Sequence, residues 1–160
     1  MIFSKSFGYA LRSILYIALL QDEDRKIQAD EVAEKLAMPR HFEGKILKRL
    51  VKENLLISAK GPHGGFSLHP QTLSTSIFRV VEITDGLTSF NNCVLRLREC
   101  NSEKPCPLHD KMVEIKMAMK DVLEKTLISD LLTEDKEEFI KSICTLDVED
   151  LLQKKAEISQ

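Results

Sequence analysis

Three of the four cysteines in this 160-residue chain lie close together, and a histidine follows them. Cys93, Cys100, Cys106 and His109 fall within one stretch that is rich in charge and proline. Thiolate and imidazole ligands select zinc, Cu(I) or iron–sulfur clusters. The sequence therefore predicts a metal site in this stretch.

The spacing of these ligands favours a cluster over a single ion. Structural zinc usually takes C-x₂₋₄-C pairs, because a tight turn brings two thiolates to one small ion. Here six residues separate Cys93 from Cys100, and five separate Cys100 from Cys106. We predict a 2Fe–2S cluster, with zinc or a thiol–disulfide pair as alternatives. Cys144 lies in an apolar segment and is predicted to be a buried structural thiol.

The composition predicts one domain with appendages in the cytoplasm. The chain is 43% hydrophobic and 30% charged, and it has neither an apolar run that could span a bilayer nor a start resembling a signal peptide. We therefore expect no membrane partner, and the reduced thiols of the cytoplasm favour a metal or redox role. The net charge of −2 divides into +3 for residues 1–70 and −5 for residues 71–160. A polyanion would thus meet the N-terminal half.

Apolar periodicity predicts three helices in that half, Phe3–Leu20, Ala29–Ala37 and Pro39–Asn54, with Pro39 in the first turn of the third. The outer face of the third helix is predicted to carry Arg40, His41, Glu43, Gly44, Lys45, Lys48, Arg49 and Lys52. Two short helices with a basic second member predict a helix-turn-helix, whose first turns meet base edges and whose cations meet phosphates. An ordinary amphipathic helix is the alternative.

A hairpin follows directly and makes DNA binding the stronger interpretation. It comprises the strand Leu55–Ala59, the turn Lys60–Gly65 and the strand Phe66–His69. Its tip bears Lys60 and His63, while the glycines of the turn, Gly61, Gly64 and Gly65, permit the positive φ that a tight tip needs. A small basic tip can enter a minor groove or lie on phosphate, whereas a plain surface hairpin would do neither.

Two further helices are predicted, Ser74–Thr84 and a longer one after Pro107. The longer helix carries a coiled-coil-like stripe of Leu108, Met112, Ile115, Met119 and Val122, and 126–132 continues or restarts it. Such a stripe needs a partner, for which a second subunit is preferred over packing within the chain.

Several segments together resemble the Rrf2 family of winged-helix regulators, which includes IscR-like and NsrR-like iron–sulfur sensors. They are the opening FSKSFGYALR, the helix end EGKILKRLVKENLL, the wing KGPHGGF, the helix IFRVVEITDG and the cysteine triplet. The resemblance covers about residues 1–130 and implies a mainly α fold with a small β-hairpin wing. It also implies a homodimeric transcription factor that binds a double-stranded DNA operator.

The resemblance assigns a role to several of the candidate site residues. It implies base reading by Arg40, His41, Glu43 and Gly44, minor-groove entry by Lys60, and phosphate contacts from Lys5 and Ser6. It implies cluster ligation by Cys93, Cys100 and Cys106 with His109 as the fourth ligand, for which Glu99, Asp110 or a group of the partner subunit are the alternatives. Two features depart from the family pattern. The first cysteine gap is longer, and Gly8 stands where NsrR-like members can offer a carboxylate.

Glu43 has a special place among the predicted base-reading residues. A carboxylate accepts from cytosine N4 and repels guanine acceptors, so Glu43 would select between operators. A plain surface carboxylate is the alternative.

The predicted organisation has four parts. They are a winged helix-turn-helix domain (1–88), a cysteine-rich cluster-binding loop (89–107), a dimerisation helix region (108–132) and an acidic tail (133–160). The predicted function is a homodimeric regulator controlled by a 2Fe–2S cluster. One alternative is a cluster-free regulator that is controlled by thiol oxidation or by a partner enzyme. A cluster-donating or cysteine-metabolism protein is a further candidate partner of the regulator. The other alternative is a metal-binding or redox enzyme, for which the sequence has no C-x-x-C pair.

Overall fold

A computed structural model describes residues 3–21, 25–95, 99–132 and 134–144, apart from the side chains of Arg40, Ser89 and Glu137. In chain order, the helices and strands are α1 (Lys5–Leu19), α2 (Ala29–Lys35), α3 (Arg40–Lys52), β1 (Leu56–Ala59), β2 (Gly65–Leu68), α4 (Ile77–Asp85), α5 (Thr88–Asn91), α6 (His109–Lys125) and α7 (Lys136–Cys144). This mainly helical arrangement with a two-stranded hairpin confirms the predicted fold class.

Helix α1 forms the centre of the core. Its Ala10 and Ile14 are fully buried against α3, which contributes Leu47 and Leu50, and against α4, which contributes Val80. Full burial of one such aliphatic side chain stabilises the fold by about 1.5–3 kcal/mol. The inner face of α3 is therefore held firmly, and its opposite face is left to solvent.

The helix-turn-helix is formed by α2 and α3, as predicted. Pro39 has extended backbone angles and precedes α3 as its N-cap residue, so it does not lie in the first turn. The helix ends at Lys52 because Asn54 adopts a left-handed φ of 58°, which no regular helix continues.

The hairpin is antiparallel, with Leu56 opposite Leu68 and Ala59 opposite Gly65. Ile27 adds a bridge to the other side of β2, where it exchanges two backbone hydrogen bonds of 2.9 and 2.8 Å with Phe66. This bridge fixes the wing to the loop before α2.

Beyond α4, the chain first leaves the core and then packs against it again after α6. The predicted helix Ser74–Thr84 is a 3₁₀ turn at Thr72–Ser74 followed by α4. Helix α6 has no buried residue, and it is followed by a 3₁₀ turn at Ile128–Leu131, in which Ile128 is fully buried. The stretch 126–132 therefore restarts a helical turn and does not extend α6.

Part of the acidic tail also packs against the core. Arg12 of α1 donates to the carbonyl oxygen of Ile143 in α7 at 3.2 Å. Cys144 at the end of α7 is half-buried, and burial raises the pKa of its thiol although Arg12 and Lys35 act against the rise. The thiol is thus half-buried and not buried as predicted, while the direction of its pKa shift agrees with a structural role. Residues 145–160 of the predicted acidic tail lie outside the described residues.

Candidate nucleic-acid interface and cysteine site

The outer face of α3 carries exposed residues that suit a nucleic acid. His41, Gly44, Lys45, Lys48 and Arg49 are all exposed. Arg40 begins the helix, and its side chain lies outside the described part. The face combines cations for phosphates with a glycine that allows close approach.

Glu43 does not lie on this face, and the prediction that placed it there is wrong. Its side chain is 6% exposed. The reason is helical spacing, because Glu43 stands four and seven residues before Leu47 and Leu50 and so shares their inward side. A charged residue type suggested exposure, whereas its position in the helix decides otherwise. The base-reading role of Glu43 stays a prediction.

The four residues predicted at the tip of the wing differ in their exposure to solvent. Lys60 and His63 are exposed, whereas Gly64 is buried and Gly65 is half-buried. The Gly64 carbonyl accepts a hydrogen bond from the Gln28 side-chain amide, and Gly65 has a φ of 137°. The glycines thus build the tip that presents the two basic side chains.

The start of α1 is fixed to the end of α4. Ser4 caps α1 by accepting from the Phe7 N–H at 3.2 Å. Its own N–H donates to the Asp85 carboxylate at 2.8 Å, and its hydroxyl donates to the second oxygen of the same group. These bonds hold exposed Lys5 and half-buried Ser6 in position. Sequence reasoning missed the pair because its members are far apart in the chain.

The cysteine loop (residues 89–107) is closed at its base. Asn92 pairs with Glu99 in an antiparallel bridge, and the Cys100 N–H donates to the Asn91 carbonyl at 2.6 Å. Lys116 of α6 donates to the Asn92 carbonyl. Cys93 and Cys100 each follow one partner of the bridge, so both flank the same loop base.

Cys100 and His109 are in contact. The Cys100 Sγ lies 3.2 Å from the His109 Nδ1, and His109 is the first residue of α6. Cys106 is 8% exposed, and its carbonyl accepts from the His109 N–H at 2.9 Å. Over the described ranges, no three potential ligands stand close enough together to hold a metal ion. Two of the predicted ligands are therefore brought together, and the donor types suit an iron–sulfur cluster.

A chain of aromatic contacts joins the cysteine loop to the start of α1. The Phe90 ring, in α5, lies 5.7 Å from Phe78 and 6.5 Å from Phe3, measured between ring centroids. Phe3 lies 4.8 Å from Phe7 in α1, and the Lys120 ammonium of α6 stands 5.5 Å from the Phe78 centroid. No short-range pattern reveals this chain, since its members come from four parts of the sequence.

A helix-turn-helix with a basic outer face, a wing beside it and a separate long helix together define a winged-helix transcriptional regulator. A family profile described as the iron-dependent transcriptional regulator Rrf2 matches residues 3–134. The chain belongs to the Rrf2 family, as the sequence resemblance indicated. Proteins of this family are regulators, which confirms that the chain is not an enzyme.

Named relatives and a solved structure agree with this assignment. An HTH-type transcriptional regulator of Aquifex aeolicus is 34% identical over 82% of this chain and 92% of its own length. The HTH-type transcriptional repressor NsrR of Streptomyces coelicolor is 26% identical over 76% of each chain. CymR of B. subtilis, titled the global cysteine regulator, has the same fold with a TM-score of 0.64 at 20% identity, over 80% of this chain and 93% of its own. Among the described residues, no helix combines the length and the apolar character needed to span a membrane.

Proposed function

We propose that the chain is a homodimeric DNA-binding regulator controlled by a 2Fe–2S cluster, with Cys93, Cys100, Cys106 and His109 as ligands. The observation that carries the proposal is the 3.2 Å contact between the Cys100 Sγ and the His109 Nδ1. It joins the cysteine loop to the first residue of α6 through two good iron ligands. The iron-dependent description of the family supports it as well.

The protein residues would tune the site in a definite way. A bound 2Fe–2S cluster supplies redox chemistry and sensitivity to oxidants and to iron shortage. One imidazole among three thiolates leaves the ligand set less negative than four thiolates, and the imidazole can couple the site to protons. Lys116 donates to the Asn92 carbonyl and so would hold the residue next to Cys93 in place.

The proposed DNA contacts rest on the exposed residues of α3, of the wing tip and of the start of α1, and for Arg40 and Ser6 on their places at the starts of α3 and α1. We assign base reading to the first turn of α3, with Arg40, His41 and Gly44, and phosphate contacts to Lys45, Lys48 and Arg49. Lys60 and His63 would enter the minor groove, and Lys5 and Ser6 would hold phosphate at the start of α1.

The dimer would form through α6. Ile115 is 57% exposed and Val122 is 62% exposed, one heptad apart on the predicted stripe. A second copy of α6 would cover this stripe and set two recognition helices about one helical turn of DNA apart.

Control of DNA binding would pass through the aromatic contacts. Phe90 lies two residues before the loop base, and Phe3 and Phe7 lie on either side of Lys5 and Ser6. A change in the loop would therefore alter how the start of α1 meets phosphate.

Purification without oxygen tests the cluster. We expect a coloured protein with about two irons and two sulfides per chain. Serine at Cys93, Cys100 or Cys106 should abolish the absorption, whereas Cys144→Ser is the matched control and should keep it. A colourless, iron-free protein obtained under these conditions would refute the cluster.

A thiol switch is the second candidate, and the same contact favours it. The contact places a histidine ring nitrogen 3.2 Å from the Cys100 Sγ, where it can form a hydrogen bond to the sulfur as the thiol is oxidised. In this case the metal-free protein would bind DNA fully, and mild oxidant would change its affinity. Cys100→Ser would remove that response without changing iron content, which separates the two candidates.

A further inference from the structure

A cavity of about 190 Å³ opens between α1, α3 and α4, beside the DNA-facing surface of α3. Its interior is largely apolar and includes Phe42, Ile46 and Ile83. The polar residues at its wall are Ser6, Lys45, Arg49 and Thr84. The cavity is therefore amphipathic, with its charge supplied by the recognition helix.

The two cations are available to a ligand. Lys45 and Arg49 are exposed and lie one helical turn apart on α3. Within the part of the chain that the structure describes, neither side chain makes an ion pair or a hydrogen bond. The Thr84 hydroxyl donates to the Val80 carbonyl at 3.0 Å. The Thr84 oxygen can therefore only accept a further hydrogen bond. The fixed charge facing the cavity is thus positive.

We propose that this cavity binds a small amphipathic carboxylate, with its charge between Lys45 and Arg49 and its hydrocarbon chain against Phe42, Ile46 and Ile83. A dry aliphatic cavity of about 150 Å³ can hold benzene, so about 190 Å³ admits an alkyl chain of roughly five carbons. A bare phosphate fits less well, because the apolar wall would strip its water and return no hydrogen bonds.

Such a ligand would compete with DNA. Lys45 and Arg49 are also the proposed phosphate contacts of α3, and a bound carboxylate would neutralise them. This consequence rests on the proposed function, whereas binding of the carboxylate does not. The site would give the regulator a chemical input that is independent of the cysteines.

Titration of the full chain with pentanoate, followed by amide NMR shifts, tests the site. We expect saturable shifts at Phe42, Ile46 and Ile83, with pentanol binding about tenfold more weakly because it lacks the charge-assisted bonds. Inorganic phosphate should leave these signals in place. The absence of saturable pentanoate binding, or equal binding of pentanol, would overturn the proposal.

Variants locate the site. Thr84→Leu should fill the cavity and weaken pentanoate binding about tenfold, with thermal unfolding as the check on folding. Lys45→Gln should weaken pentanoate binding too. Lys48→Gln removes the same charge from α3 outside the cavity and should leave pentanoate binding unchanged. Unchanged affinity in both Thr84→Leu and Lys45→Gln would overturn the assignment.

Competition with DNA is tested by measuring the affinity for a mixed-sequence duplex with and without pentanoate. Chloride at matched ionic strength is the control, because salt alone weakens DNA binding. Pentanoate should lower the DNA affinity of the unmodified protein and of Lys48→Gln, but not that of Thr84→Leu. Saturable pentanoate binding without loss of DNA affinity would overturn the competition. Failure of the ligand-free protein to bind any duplex would instead refute the proposed DNA contacts and leave the NMR result standing.

Discussion

At Gly64 the wing depends on a residue without a side chain. A Cβ there would overlap the carbonyl oxygen of Ala59, which is backbone and cannot turn away. Gly64→Ala should lower the free energy of unfolding by about 1–3 kcal/mol and weaken DNA binding, because Lys60 and His63 would shift. Denaturant unfolding and a DNA titration measure both effects.

Gly8 provides the matched control for that change. It lies inside α1, and an added Cβ would meet no heavy atom within 4 Å. Gly8→Ala should stabilise the protein by up to about 1 kcal/mol through helix propensity. Equal destabilisation by the two substitutions would contradict a specific role for Gly64.

Glu43 allows a second test of a single residue. Because its carboxylate is 6% exposed, we expect Glu43→Ala to cost about 1–3 kcal/mol of stability and to weaken binding to all DNA sequences alike. The base-reading hypothesis predicts otherwise, namely intact stability and a broader set of bound sites. Thermal unfolding together with binding to a panel of duplexes distinguishes the two outcomes.

The elements are coupled where the aromatic rings meet. Phe90→Ala would remove the contacts that α5 makes with Phe78 and Phe3. The ratio of DNA affinities between the cluster-loaded and cluster-free protein should therefore fall towards one. Phe139→Ala removes a half-buried ring from α7 and should keep the ratio. An unchanged ratio in Phe90→Ala would refute the proposed route from the loop to the start of α1.

At the scale of the whole molecule, the proposed dimer is tested at the exposed stripe of α6. Ile115→Glu would place a charge on the exposed stripe of α6 and should yield monomers in sedimentation equilibrium. Loss of the second half-site contact should weaken binding to a two-site duplex by roughly 100-fold. Met117→Glu is the control, because Met117 is 67% exposed but lies off the stripe, and the dimer should survive. A dimer that survives Ile115→Glu would rule out this interface.

Much of the architecture follows from local sequence. The periodicity of α1 and α3, the left-handed turn after α3 and the glycine-rich wing each depend on residues within a few positions of one another. Such short-range patterns determine the order of helices and strands and the basic character of α3, because side-chain spacing and allowed backbone angles act locally. The three cysteines and His109 likewise suggested a ligand set from spacing alone.

Only the tertiary structure decided which distant groups meet. The bonds from Ser4 to Asp85 and the contact of Cys100 with His109 depend on how elements pack. The burial of Ile128, after a helix with no buried residue, is a further case. Packing is a property of the whole core, in which one residue touches many that are remote in the chain. Periodicity along the sequence specifies the face of a helix, but the partner of that face is set by the rest of the fold.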